Sequence, residues 1–232
     1  MQLSAEELEI VLLSLKVSGV AILVALLPAF ALAWVLARRR FPGRVLLDAL
    51  VHLPLVLPPV VTGWLLLLAF GNNGPAGRWL METVGLTFMF RWTGAALAAA
   101  IMALPLMVRA MRLSIEAIDR RLEGAARTLG AGPWRTFFSI TLPLSMPGVL
   151  AALVLGFARS IGEFGATITF VSNIPGETRT LPLAIYSALQ IPGGESNVTR
   201  LALISVLLSL AALVLSELLA RRGTQGRDAH VL

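Results

Sequence analysis

Arg159 and Glu163 are the residues of this chain best placed to do chemistry. They lie within GFARSIGEFGATITF (156–170), inside an apolar run long enough to be a membrane span. Their i,i+4 spacing puts a guanidinium and a carboxylate on one face of a helix. Ionisable groups at such depth are costly, and they face a bundle interior or a wet cavity rather than lipid. Two readings follow. In the first, Arg159, Ser160 and Thr167, with the backbone amides of Gly162 and Gly165, line a path and offer donors to an anion. In the second, Arg159 and Glu163 form a buried ion pair that only fixes the packing of helices.

A second island of chemistry runs from Leu122 to Pro143, LEGAARTLGAGPWRTFFSITLP, and carries arginines and aromatic residues between apolar runs. It reads as two short helices. Leu122–Leu129 is alanine-rich, Gly130 ends it with an expected φ above zero, and Pro133 suits the first position of a second helix that closes at Leu142-Pro143. Trp134, Phe137 and Phe138 on that second helix suit a groove on another protein. A third cluster, Pro54, Pro58 and Pro59 in LPLVLPPVV, frees the carbonyls of Leu50, Pro54 and Leu55 and should kink its helix, as a hinge or as a fixed bend.

The elements that must position these residues are membrane helices. The chain has 232 residues, 57% of them hydrophobic, a mean hydropathy of +0.83 and 14% charged residues. Soluble domains average about 25% charged. Five apolar runs approach the ~20 residues that a bilayer requires: about 10–37, 46–70, 93–111, 147–171 and 199–219. The acidic N-terminus, MQLSAEELEI, followed by a long apolar run reads as a retained span, not a cleaved leader. The expected fold is an all-α integral membrane protein, one domain over residues 1–232. The outer loop after the fourth run contains a short apolar stretch, Leu181 to Leu189, which suits an interfacial or a surface helix.

Charge sets the expected orientation. Eighteen of the nineteen basic residues are arginine. Placing the loop at 38–44, the island and the tail on one side gathers thirteen arginines there, against Arg78, Arg91, Arg179 and Arg200 opposite. The positive-inside rule then puts the N-terminus outside, and the island and C-terminus in the cytoplasm. Arginines that flank apolar runs in this way argue for topology and against nucleic acid as partner. Lys16, near the outer end of the first run, should snorkel. Asp48 with Arg44, and Glu217 with Arg221, have the spacing of boundary ion pairs; His52 suits an interhelical hydrogen bond.

Several function classes are disfavoured. There is no cysteine, so no disulfide or thiolate metal site, and no metal ligands are assigned. No catalytic residues are assigned either: Ser160 and His52 are the only embedded nucleophile–base pair, and no nucleophile motif frames the serine. No GxxxxGK[ST] loop is present, so the chain should bind no nucleotide itself. A secondary transporter would show inverted repeats, and a passive, ATP-independent anion channel would lack a docking knob.

The island carries a resemblance. Ala125-Ala126, Gly130 and Ile140-x-Leu142-Pro143 resemble the "EAA" loop of ABC-importer permeases, which docks on a cytoplasmic ATPase subunit. The family's glutamate falls on Gly124 here, with Glu123 one place early. LSLKVSG (13–19), RRRFPGR (38–44), LPLVLPPVVTGWLL (53–66), FARSIGEFGATITFVSNIPGETRTLP (157–182) and PGGES (192–196) extend the likeness to molybdate ABC transporter permeases, over nearly the whole chain. The resemblance implies the type I importer permease fold in a bacterial inner membrane. It implies a coupling loop at about 114–143 in which Glu123, Ala125, Ala126, Leu129, Gly130, Trp134, Phe137, Ile140, Leu142 and Pro143 face the ATPase. It further implies a second copy of the chain, ATP and Mg on the partner ATPase, a periplasmic oxyanion-binding protein, and molybdate as substrate, with sulfate, thiosulfate or tungstate as alternatives.

Overall fold

The computed structural model describes residues 4–228 and is all helical. The first helix, α1 (Ala5–Arg38), starts with a capping box in which Ser4 and Glu7 satisfy each other's backbone N–H. Beneath its apolar surface runs a stripe of small residues, Ala21, Ala25, Ala29 and Ala33, all buried. It meets Ala95, Ala96, Ala99 and Ala103 of α5 (Trp92–Glu116) within one core. Lipid tails are as apolar as leucine, so helices in a bilayer gain most where small side chains bring their backbones close. That alanine seam is the spine of the molecule.

The run at 46–70 is not one kinked span. It forms α2 (Arg44–Val56) and α3 (Pro59–Phe70), which turn by 115° at the break. The cause is the Pro58-Pro59 pair. A residue before proline is pushed out of the α region, and here this happens twice in succession: Leu57 has ψ 143° and Pro58 has ψ 134°. Pro59 then occupies the N1/N2 region of α3, where its missing N–H is harmless. Pro54 stays inside α2. The loop after α3 contains a further helix, α4 (Pro75–Val84), which the glycine and asparagine content of that stretch does not announce.

The fourth run also departs from expectation at both ends. The island comprises α6 (Arg120–Thr128) and α7 (Pro133–Thr136). Leu142-Pro143 does not close the second helix. Instead α7 passes through a π-helical segment, Phe137–Thr141, directly into α8 (Leu142–Ile161), a helical stretch of 29 residues. The expected continuation to residue 171 is broken at 162–164, and a separate α9 (Gly165–Val171) follows. The stretch 181–189 forms α10 (Leu181–Leu189), packed inward through Leu181, Leu183 and Ala184. The buried Ser14 hydroxyl of α1 accepts the Leu181 N–H at 2.8 Å. The last helix is α11 (Glu195–Asp228). Among the described residues four helices are long and apolar enough to cross a membrane, or five with α2–α3 as one broken span.

Boundary contacts sort the ends of these helices into two groups. Arg200 pairs with Glu7 at 2.7 Å and Arg179 with Glu6 at 3.7 Å, which gathers the starts of α1 and α11 with the 172–180 loop. At the other end, Arg38 pairs with Glu123 and Arg120 reaches the Ala37 carbonyl, which gathers the end of α1 with the island. The loop at 38–44 and the island thus share one end, and Arg179 and Arg200 the other. Lys16 does not simply snorkel; its ammonium sits 3.8 Å from the centre of the Trp92 ring, a cation–π contact.

Three smaller expectations are corrected. Asp48 does not pair with Arg44. It takes Arg112 at 3.0 Å, while Arg44 reaches Glu116 at 3.8 Å, because α2 lies against α5 and tertiary partners displace the local one. His52 bonds within its own helix, Nδ1 lying 2.8 Å from the Asp48 carbonyl, not between helices. Glu217 and Arg221 lie outside the residues whose side chains are described.

Candidate functional site

Two sites emerge, at opposite extremes of packing. The first is the elbow between α6 and α7. Asp119 caps α6 by accepting the Arg121 N–H at 2.9 Å. The helix ends in a Schellman turn: Gly130 has φ +88°, its N–H goes to Arg127 O at 3.0 Å, and the Ala131 N–H goes to Ala126 O at 2.9 Å. A Cβ on Gly130 would meet nothing within 4 Å, so the backbone torsion, not space, demands glycine. The elbow therefore projects freely. Leu129 is 88% and Trp134 75% exposed; Phe138 is exposed and stacked on Trp134 at 6.3 Å. Ala125 and Pro143 are exposed, whereas Ala126, Ile140 and Leu142 are half-buried.

Phe137 reaches inward from this aromatic face. Its ring stands edge-on to Phe138 at 5.1 Å and to Phe30 of α1 at 5.9 Å, so it anchors the elbow to α1. Glu123 is an anchor too. Its Oε1 accepts from Arg38 Nη2 at 2.9 Å and from Thr141 Oγ1 at 2.8 Å. One carboxylate oxygen thus ties α6 to the end of α1 and to the π-helical turn. Nothing local in the sequence marks Arg38 or Thr141 as a partner of Glu123, because Arg38 lies 85 residues away.

The second site is the junction of α8, α9 and the α2–α3 break. Arg159 Nη1 lies 2.6 Å from Glu163 Oε2, so the predicted pair exists. It is not a pair along one helix, because α8 ends at Ile161 and Glu163 stands in the break. Freed from the helix, its other oxygen accepts the Ala166 N–H at 2.8 Å and satisfies an amide in the first turn of α9. The Glu163 side chain is 2% exposed, that of Arg159 25%. The buried Ser160 hydroxyl has no hydrogen-bond partner, and neither does that of Thr62 on α3. Thr167 is buried, and Gly162 is exposed in the break.

The proline cluster and the glycine-rich run, far apart in sequence, meet here. A Cβ on Gly165 would lie 2.7 Å from Pro59 Cβ, and one on Gly63 would lie 2.6 Å from Ala166 O and 2.8 Å from Thr169 Cβ. Glycine at 63 and 165 is required by contact, so that α3 and α9 touch backbone to backbone. Of the proline cluster, Pro59 makes this contact.

No group of three or more potential metal ligands exists among the described residues. What the geometry offers is an exposed, rigidly anchored elbow at one end and a partly accessible guanidinium beside a helix break within the bundle.

The chain is 59% identical over 221 residues to the molybdenum transport system permease protein ModB of Escherichia coli K12, covering 95% of this chain and 96% of that one. It is 42% identical to the putative molybdenum transport system permease protein YvgM of Bacillus subtilis, over 77% and 79% of the two chains. Its identity to the sulfate transport system permease protein CysT of E. coli K12 is 38%, over 82% and 70%. Among solved structures, a bacterial ABC transporter that imports the polysaccharide alginate matches with a TM-score of 0.73 at 19% identity, covering 95% of this chain and 80% of that one. The inward-facing MetNI methionine transporter gives 0.68 at 15%, covering 94% of each. These two show the fold alone. The family profile of binding-protein-dependent transport system inner membrane components matches residues 21–225. By this match and by its identity to curated relatives, the chain belongs to the binding-protein-dependent transport system inner membrane components, the permeases of ABC importers.

Proposed function

We propose that this chain is the membrane-spanning permease subunit of an ATP-driven importer of molybdate. The observation that carries the substrate is the 59% identity, across nearly the whole of both chains, to a permease named for molybdenum transport. Sulfate is the second reading, favoured by the 38% identity to a sulfate permease.

In this reading the elbow is the coupling element. Leu129 and Phe138 enter a groove on a cytoplasmic ATPase subunit, which holds ATP and Mg, with Trp134 stacked behind Phe138, while Phe137 and Glu123 transmit its movement to α1 and α8. Two copies of the chain surround one path. A periplasmic binding protein delivers the oxyanion on the side of Glu7 and Arg200. Arg159, with Ser160, Gly162 and Thr167, lines that path. Glu163 holds Arg159 in place, and the Pro58-Pro59 break, resting on Gly165, lets α3 shift against α9. The N-terminus is outside and the C-terminus cytoplasmic. All 232 residues form one permease domain.

The test is reconstitution of this chain in liposomes with the ATPase and binding protein with which it co-purifies. Molybdate should stimulate hydrolysis and accumulate, and excess sulfate should compete weakly. Sulfate-driven uptake equal to that of molybdate would move the assignment to the second reading; anion flux without ATP would replace both with a channel. Because the chain has no cysteine, single cysteines at Gly132 and Gly194 test the topology. Only Gly194→Cys should be labelled from outside intact cells.

A further inference from the structure

Between the end of α1 and the elbow lies a cavity of about 470 Å³ whose wall includes Arg38, Arg39, Arg120 and Arg127 but a single acid, Glu123. That acid is already committed to Arg38 and Thr141. The Arg38 side chain is only 9% exposed, and its buried Nε has no hydrogen-bond partner. Arg39 stands over Trp34, its guanidinium carbon 5.5 Å from the ring centre. Arg120 reaches one backbone carbonyl at 3.5 Å, and no carboxylate among the described residues pairs with Arg127. A buried donor without an acceptor, beside three arginines that have no carboxylate partner among the described residues, suits an anion.

The cavity does not stand alone. Trp34, Pro133 and Phe137 also line an adjoining groove of about 330 Å³, completed by Phe30, Ala31 and Trp134. No charged residue lines that groove. A free phosphate would satisfy the arginines but leave this apolar wall bare, and a zwitterionic lipid would bring a cation up against the guanidinium groups.

We propose that the cavity and groove together bind one anionic phospholipid, its phosphate among Arg38, Arg39 and Arg127 and an acyl chain along Phe30, Trp134 and Phe137. The lipid bridges α1 and the coupling elbow, the two parts that Glu123 also joins. Its assignment to the cytoplasmic leaflet rests on the topology proposed above; the binding itself does not.

The test uses the full chain in phosphatidylcholine nanodiscs and follows quenching of tryptophan fluorescence by lipids with brominated acyl chains. Brominated phosphatidylglycerol should reach half-quenching at about a tenfold lower mole fraction than brominated phosphatidylcholine, and Trp34→Phe with Trp134→Phe should remove that difference. Each basic residue near the headgroup contributes a factor of up to about five. Arg39→Gln with Arg127→Gln, both exposed and without ion pairs, should therefore reduce the preference to about twofold or less. Should that double variant not fold, Arg127→Gln alone should still reduce it by about twofold to fivefold. Millimolar inorganic phosphate should leave the preference intact. Equal quenching by the two lipids overturns the proposal, as does a preference that survives the arginine substitutions. Loss of the preference on adding phosphate would make the cavity a free-anion site and not a lipid site. Both leaflets carry the brominated lipid, so an inverted topology, read from the cysteine labelling, would not alter these outcomes.

Discussion

The elbow and the α3–α9 junction both depend on glycine, for opposite reasons. At Gly130 the backbone takes φ +88° and a Cβ would meet nothing. At Gly63 and Gly165 the torsions are ordinary and a Cβ would strike Ala166 O or Pro59. The elbow is open: α6 has no buried residue and its neighbours expose Leu129 and Trp134. The junction is closed: Glu163, Ala166 and Thr167 are buried where α3 and α9 touch. Burial differs in step, so electrostatics differ too. A carboxylate holds each site together, Glu123 at a half-buried boundary and Glu163 in the interior.

That contrast ranks the expected effects of substitution. The largest belongs to Glu163→Ala, which strands the three-quarters-buried Arg159 charge and leaves the Ala166 N–H without its acceptor. Removing one member of a buried pair costs about 3–5 kcal/mol, and expression and thermal stability in detergent should fall steeply. The double variant Arg159→Met with Glu163→Gln should recover stability, since glutamine still accepts from Ala166 N–H, yet transport little. Full transport by that variant would remove Arg159 from the path. Next comes Gly63→Ala, where the added methyl meets a backbone carbonyl that cannot swing aside. Overpacking of this kind costs about 1–3 kcal/mol, read as a lower melting temperature with the elbow unaffected.

How far the sequence reaches follows the same division. Apolar runs are legible because the bilayer demands length, and the elbow because its glycine and proline act locally. Pro58-Pro59 announces a fault in a helix, but not that two successive extended residues turn the chain by 115°. Asp48 shows the same limit: spacing along one helix suggests Arg44, whereas Arg112, 64 residues away, is the partner. A regular helix over 134–140 would put Trp134, Phe137 and Phe138 on one face. The π-helical turn changes the register of its faces, and nothing local in FFSIT marks it. Spacing alone puts Glu163 on a continuous helix, whereas the break at 162–164 frees it to serve α9, whose Gly165 lies against Pro59 of α3.

Effects at the elbow should be smaller in stability and larger in coupling. Glu123→Ala removes both the Arg38 and Thr141 bonds. Hydrogen bonds to a charged group are worth about 1.5–3 kcal/mol when buried, and partial exposure lowers this to roughly 1–2 kcal/mol. The expected signature is ATP hydrolysis that persists without molybdate uptake; uptake in proportion to hydrolysis would show that the anchor transmits nothing. Gly130→Ala should cost about 1–2 kcal/mol through its left-handed torsion alone, with Gly130→Asn milder because asparagine visits that region more readily. Equal effects of Ala and Asn, read from thermal stability, would mean that torsion is not the constraint there.

The smallest effect is expected at Gly124, where the resembling family carries glutamate. Gly124 lies inside α6, and a Cβ there would meet nothing within 4 Å. Replacing a helical glycine removes a propensity penalty of about 0.8–1.0 kcal/mol relative to alanine, and glutamate is nearly as good a helix former. Gly124→Glu should therefore raise thermal stability slightly. Its carboxylate enters the wall of the arginine cavity, which Gly124 also lines. There it supplies the acceptor that Arg127 lacks, and so lowers the preference for phosphatidylglycerol while leaving insertion unchanged. Glu123 keeps its own two donors, because it faces Arg38 and Thr141 and not the new side chain's partner. A Gly124→Glu variant that lost both stability and coupling would show that the two acids compete for Arg38, and that the elbow tolerates only one.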